Sequence, residues 1–139
     1  MPTITVRNLQ RAVKVDLPAL QEFGRRALDR CLALPVRKSP LSSLTCVDVL
    51  LISDRRITGL HWRFQNIASP TDVITFQHGE IFISAQTAQR QAAEFGTSTR
   101  REIELYLLHG LLHLHGFDDK TVAMKRRMNL VQSKILRLL

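Results

Sequence analysis

Cysteine is scarce in this chain of 139 residues. Its two copies, Cys31 and Cys46, have neither metal-type nor redox-type spacing, which excludes a disulfide scaffold and a thiolate metal site. Buried free thiols in a reducing compartment are the expectation. No apolar run approaches the roughly 20 residues that span a bilayer. The first residues, Met1-Pro2-Thr3-Ile4-Thr5-Val6-Arg7, lack the charged region and apolar stretch of a secretion signal. These absences point to a cytoplasmic protein with no membrane association. Internal repeats, low-complexity tracts and linkers are also missing, so residues 1–139 are expected to form one domain.

Acidic residues are few as well. Twelve Asp and Glu stand against 20 Lys and Arg, a net charge of +8. The basic residues gather in groups such as Arg25-Arg26, Arg37-Lys38, Arg55-Arg56, Arg100-Arg101 and Lys125-Arg126-Arg127. A surface of this sign attracts polyanions, nucleic acid first among them, whereas a solvated basic surface is the plainer alternative. Apolar content of 45% is ordinary and sufficient for a core.

Ile4-Thr5-Val6 alternates as a short strand. Asp16-Leu17-Pro18 starts a helix, with Asp16 as cap and proline in the first turn. Its apolar positions, Leu20, Phe23, Ala27, Cys31 and Leu34, run to the stop at Pro35. Residues 44–52 suit a strand buried on one or both faces. Ser53-Asp54 caps a short helix carrying Ile57, Leu60 and Phe64 on one side. Residues 72–76 and 80–83 form a hairpin around Gln77-His78-Gly79. Ser84 opens a helix closed by Gly96, and Thr97-Ser98-Thr99 opens another that runs into a histidine-rich stretch. Residues 120–139 hold Val122, Met128, Val131, Ile135 and Leu138 near helical spacing. The expected class is α+β, a small mixed sheet of about four strands packed with about five helices.

Three of the five histidines fall in Leu107-Leu108-His109-Gly110-Leu111-Leu112-His113-Leu114-His115-Gly116-Phe117-Asp118-Asp119. His109 and His113, four apart, project from one side of a helix. Gly116 can end that helix with a positive φ, turning the following carboxylates back toward the imidazoles. Unpaired histidines on a leucine-rich face are costly, so the arrangement points to a metal. Zinc takes imidazole and carboxylate ligands, and a catalytic zinc has three protein ligands. Iron and manganese accept the same set. The third ligand is open among Asp119, Asp118 and His115, of which His115 fits least because it points to another side of the helix. Peptidases of the His-Glu-x-x-His type need a glutamate after the first histidine, and Gly110 stands there.

The stretch from His109 to Asp119 resembles the signature of the YbeY family of endoribonucleases and rRNA maturation factors, His-Gly-x-Leu-His-Leu-x-Gly-Tyr-Asp-His. Leu60-His61-Trp62-Arg63-Phe64-Gln65 is similar to that family's Leu-Asn-x-x-Tyr-Arg. Pro70-Thr71-Asp72-Val73-Ile74-Thr75-Phe76 resembles its Pro-Thr-Asp-Val-Leu-Ser-Phe, and Gly79-Glu80-Ile81-Phe82-Ile83-Ser84 its Gly-Asp-Ile-x-Ile-Ser. The resemblance runs from about residue 44 to the C-terminus.

The resemblance implies a metzincin-like metal site on a central helix, holding one zinc ion per chain through His109, His113 and Asp119. It implies a zinc-dependent, single-strand-specific endoribonuclease that matures the 3′ end of 16S rRNA and serves ribosome quality control. Its partners would be precursor ribosomal RNA and the small ribosomal subunit with its proteins. Gln65 and Arg63 are the catalytic candidates, Thr71 a candidate for lining the RNA cleft, and Asp72 a structural residue at a strand start. Three positions depart from the pattern. Asp119 replaces a histidine, Gln65 an arginine and His61 an asparagine. Glutamine cannot neutralise a phosphate or clamp it with a charged fork. The alternative reading is therefore an RNA- or ribosome-binding assembly factor whose metal site is largely structural.

Overall fold

A computed structural model describes residues 1–139. The elements run β1 (Thr3–Asn8), α1 (Leu17–Leu32), β2 (Cys46–Ile52), α2 (Asp54–Gln65), β3 (Val73–Phe76), β4 (Glu80–Ser84), α3 (Ala85–Phe95), α4 (Thr99–Leu114) and α5 (Val122–Leu138). The expected α+β class, with a mixed four-stranded sheet and five helices, is what is found. Strand order is β1-β2-β4-β3, with β1, β2 and β4 parallel and β3 antiparallel to β4 at one edge. No helix is long and apolar enough to cross a membrane.

The helix starts follow local chemistry. Asp16, Ser53, Ser84, Ser98 and Thr121 each accept a hydrogen bond from the backbone N–H three residues on, satisfying a donor that the first turn leaves free. The hairpin between β3 and β4 closes at Gly79, where φ is +111° and an added Cβ would stand 2.8 Å from the Cys46 carbonyl oxygen. Only glycine fits both demands.

The sheet's two faces differ in depth. Val47, Val49, Leu51, Ile81 and Ile83 join α1 and α4 in a core of 23 buried residues. On the other face Leu50, Ile52 and Ile74 meet Ile57 of α2 in a core of four. Helix α4 is buried almost all round, as a helix between a sheet and α1, α3 and α5 must be. Gly110 lets it approach β4 and β3, because a Cβ there would lie 2.9 Å from Ile81 Cδ1 and Cγ2 and 3.1 Å from Thr75 Oγ1.

Two sequence expectations fail on the shallow face and its edge. Helical spacing sets Phe64 on the buried side of α2 with Ile57 and Leu60, yet it is 56% exposed. Phe64 is the next-to-last residue of α2, and there its ring meets that of Phe76, at the end of edge strand β3, edge-on at 4.9 Å. Cys31 is buried as expected, its thiol pushed up to about 12 by desolvation, but Cys46 is only half-buried at the start of β2. That strand begins two residues later than its apolar run suggests, because residues 41–43 form a 3₁₀ turn that ends on Leu44.

Candidate metal centre

Helix α4 ends in a Schellman motif. The N–H of Gly116 donates to the His113 carbonyl (3.1 Å) and that of Phe117 to the Leu112 carbonyl (3.0 Å). Gly116 has φ +109°, the conformation its sequence position suggests. This turn returns the chain toward the helix and brings Asp119 Oδ2 to 3.8 Å from His113 Nε2. His109 Nε2 and His113 Nε2 are 3.1 Å apart. One donor atom from each of His109, His113 and Asp119 lies within 4.8 Å of the others.

The donor set suits zinc. A tetrahedral ion with bonds of about 2.0–2.1 Å to nitrogen separates its ligand atoms by about 3.3 Å. The tautomer of His109 suits it too. Gln132 of α5 accepts the Nδ1–H of His109 through Oε1 at 2.9 Å, which leaves the Nε2 lone pair facing His113. Desolvation lowers the His109 pKa and the neighbouring His113 adds to the effect, against the opposing pull of the Gln132 hydrogen bond and of Asp119 and Asp72. The neutral, ligating form is thereby favoured.

The trio opens into a cleft of about 300 Å³, whose other walls include Gln65, Asp72, Thr75 and Gln77. Gln65 is the last residue of α2, and Asp72 and Thr75 come from β3 and its approach, so two chain segments converge on α4. Asp72 behaves as expected at a strand start, accepting the Val73 N–H at 2.7 Å, and it also faces the cleft. Arg63 and Thr71 do not line it. The Arg63 guanidinium lies over the Phe64 ring at 5.9 Å, and Thr71 Oγ1 is 3.5 Å from Asp72 Oδ1.

The two other ligand candidates lie elsewhere. Asp118 accepts the backbone N–H of Asp119 at 2.7 Å, which holds its carboxyl below the ordinary value, and it pairs with Lys120 at 3.7 Å. His115 is 2% exposed and uses both ring nitrogens. Nε2 is 2.9 Å from the Leu34 carbonyl oxygen, an acceptor, so Nε2 carries the proton. Nδ1 then accepts from the Ser39 hydroxyl at 2.7 Å. His61 is also structural, donating Nδ1–H to the Ser69 carbonyl at 2.8 Å and so holding the loop after α2.

Sequence reasoning missed Gln132. Its signal was present: a glutamine inside the stripe formed by Met128, Val131 and Ile135, where a polar group needs a partner.

Residues 5–139 match the family model described as "Endoribonuclease YbeY". Among curated relatives, the endoribonuclease YbeY of Symbiobacterium thermophilum is 35% identical over 133 residues, covering 84% of each chain. That of Pelotomaculum thermopropionicum is 32% identical over 151 aligned residues, covering 98% of this chain and 95% of its own. A Thermotoga maritima protein of known solution structure superposes with a TM-score of 0.61 at 23% identity, over 97% of this chain and 89% of its own, a likeness of fold.

Proposed function

The chain belongs to the YbeY endoribonuclease family, and from that premise we propose that it is a zinc-dependent endoribonuclease formed by a single domain over residues 1–139. The substrate in this reading is single-stranded ribosomal RNA precursor. The reaction serves maturation of the 16S 3′ end and ribosome quality control in the cytoplasm, beside the small subunit and its proteins. The observation that carries the reading is the convergence of His109, His113 and Asp119 at the mouth of a cleft on a strongly basic chain.

Zinc bound by His109, His113 and Asp119 would supply Lewis acidity toward a phosphate oxygen. The residues around it have separate tasks. Gln132 holds the His109 ring through Nδ1. Gly110 sets the helix close enough to β3 for the cleft to have a wall. Gln65 offers amide N–H groups to a phosphate oxygen and brings no charge. Arg63, on the same helix, supplies positive charge at the approach to the cleft. The carboxylate of Asp119 leaves the loaded centre one positive charge poorer than three neutral imidazoles would, which weakens its pull on a phosphate.

Gln65 in place of the arginine favours a second reading, an assembly factor that binds RNA and uses its metal for structure. A nuclease assay on zinc-loaded protein with a labelled single-stranded RNA separates the two. The expected outcome is cleavage that falls at least ~100-fold, about 2.7 kcal/mol of transition-state stabilisation, in a folded His113→Ala variant. Cleavage undiminished by that change would trace to a contaminating nuclease and sink the proposal. Binding without cleavage would establish the second reading.

A further inference from the structure

On the other side of the Gly116 turn lies a separate cavity of about 310 Å³. Its walls come from three parts of the chain: Val36, Arg37 and Lys38 from the loop after α1, Phe117 from the turn, and Met124 and Arg127 from α5. Three of these side chains are cationic and three are apolar. Asp118 is the acid in the lining, and Lys120 pairs with it at 3.7 Å.

The cavity is built on a fixed frame. An added Cβ at Gly116 would stand 2.7 Å from the Lys38 carbonyl oxygen, so the loop lies directly on the turn. His115 ties the same loop at Leu34 and Ser39. The Arg127 guanidinium is held over the Phe117 ring, 5.5 Å from its centroid. A guanidinium over an aromatic ring offers a flat cationic surface on which a base can stack. Arg37 and Lys38 stand beside it with no carboxylate partner, as phosphate ligands would.

We infer that this cavity is a second RNA-contact site, which takes one nucleotide of a single strand whose neighbouring phosphodiester lies in the zinc cleft. The base stacks on Arg127 and Phe117 against Met124 and Val36, and the flanking phosphate is met by Arg37 and Lys38. The volume falls in the range of about 300–1,000 Å³ usual for small-ligand pockets. The tract Gly116–Asp119 separates the two sites, with Phe117 facing this cavity and Asp119 the cleft. This site rests on the nuclease reading for its substrate but is tested without cleavage.

The probe is a short fluorescein-labelled single-stranded RNA, titrated by anisotropy against full-length protein stripped of metal. The double reversal Arg37→Glu with Lys38→Glu, and separately Arg127→Glu, should each weaken binding roughly ten-fold. The slope of log Kd against log salt should become shallower by about 0.7 for each phosphate that is no longer neutralised. Circular dichroism and thermal melting verify that both variants fold. The same charge change at Arg55 and Arg56, exposed at the far end of α2, should leave the affinity within about two-fold. In zinc-loaded protein the reversals should raise KM and spare kcat. Photocrosslinking of thiouridine-substituted RNA should label the peptide that holds Phe117. Unchanged Kd, salt slope and KM in both reversals would overturn the inference and leave the cavity to an acidic protein segment. Weakened binding by a protein that never cleaves RNA would uphold this site while the nuclease reading fell.

Discussion

The last turn of α4 has two sides that use the same side chain for opposite ends. On the cleft side, His109 and His113 keep Nε2 atoms directed at each other and at Asp119, with Gln132 occupying the far nitrogen of His109. On the loop side, two residues further along, His115 satisfies both nitrogens inside the protein and is almost fully buried. What separates a ligand from a structural residue is therefore not the imidazole or its burial. It is whether a ring nitrogen faces other atoms able to ligate an ion, or a backbone carbonyl and a hydroxyl. A buried polar group hydrogen-bonded to the backbone and a hydroxyl stabilises the fold, and a cluster of such atoms facing one another suits an ion.

The strongest test of that contrast is His115→Ala. It removes two hydrogen bonds, leaves the Leu34 carbonyl unpaired and opens a void. The expected loss is about 3–4 kcal/mol of stability in denaturant melts. Zinc per chain, measured by elemental analysis at a temperature where the variant is folded, should stay near the wild-type value. Loss of zinc with little loss of stability would mean the two sides have been assigned the wrong way round.

The cleft side should answer in the reverse sense. Zinc at a hundred-fold excess over its Kd should stabilise the metal-free protein by about 2.7 kcal/mol, raising the melting temperature. In Asp119→Ala the bound zinc should fall and most of that gain should vanish, while the metal-free melting point stays put because the Asp119 side chain is 45% exposed. A full zinc complement in Asp119→Ala would remove this residue from the site.

A smaller effect is expected behind the ligands. Gln132→Leu keeps the side-chain bulk of α5 but frees the His109 ring, so zinc affinity should drop about ten-fold, near 1.4 kcal/mol. Competition with a chelating dye would read that change. Affinity equal to wild type would show that packing, not Gln132, orients the ring.

Much of this was legible in the sequence, and the legible parts share a cause. Caps at Asp16, Ser53 and Ser84, the glycine in the hairpin turn and the His109–His113 pair are each written within a few residues, so spacing reveals them. Gln132 meets His109 from 23 positions away and Ser39 meets His115 from 76, and no local pattern records such pairs. Phe64 escapes local reading for a related reason. Helical spacing puts it beside Ile57 and Leu60 but does not tell that what it packs against is one ring, Phe76, at the end of edge strand β3. The charge groups are visible along the chain, yet only folding brings Arg37, Lys38 and Arg127 to one cavity.

The His115 tie also has a consequence in time. The turn that carries Asp119 is closed by bonds spanning three and five residues, from Gly116 to His113 and from Phe117 to Leu112. The tie closes a loop of 76 residues to Ser39 and 81 to Leu34. Loop closure costs more chain entropy as the loop lengthens, and local contacts form earlier than distant ones. The turn that carries the candidate ligand Asp119 is therefore ready before the basic loop settles onto it. Pulse-labelled refolding would record this as early protection of the Gly116 and Phe117 amides. A nascent chain would gain its place for the ion first and its second hold on a polyanion last.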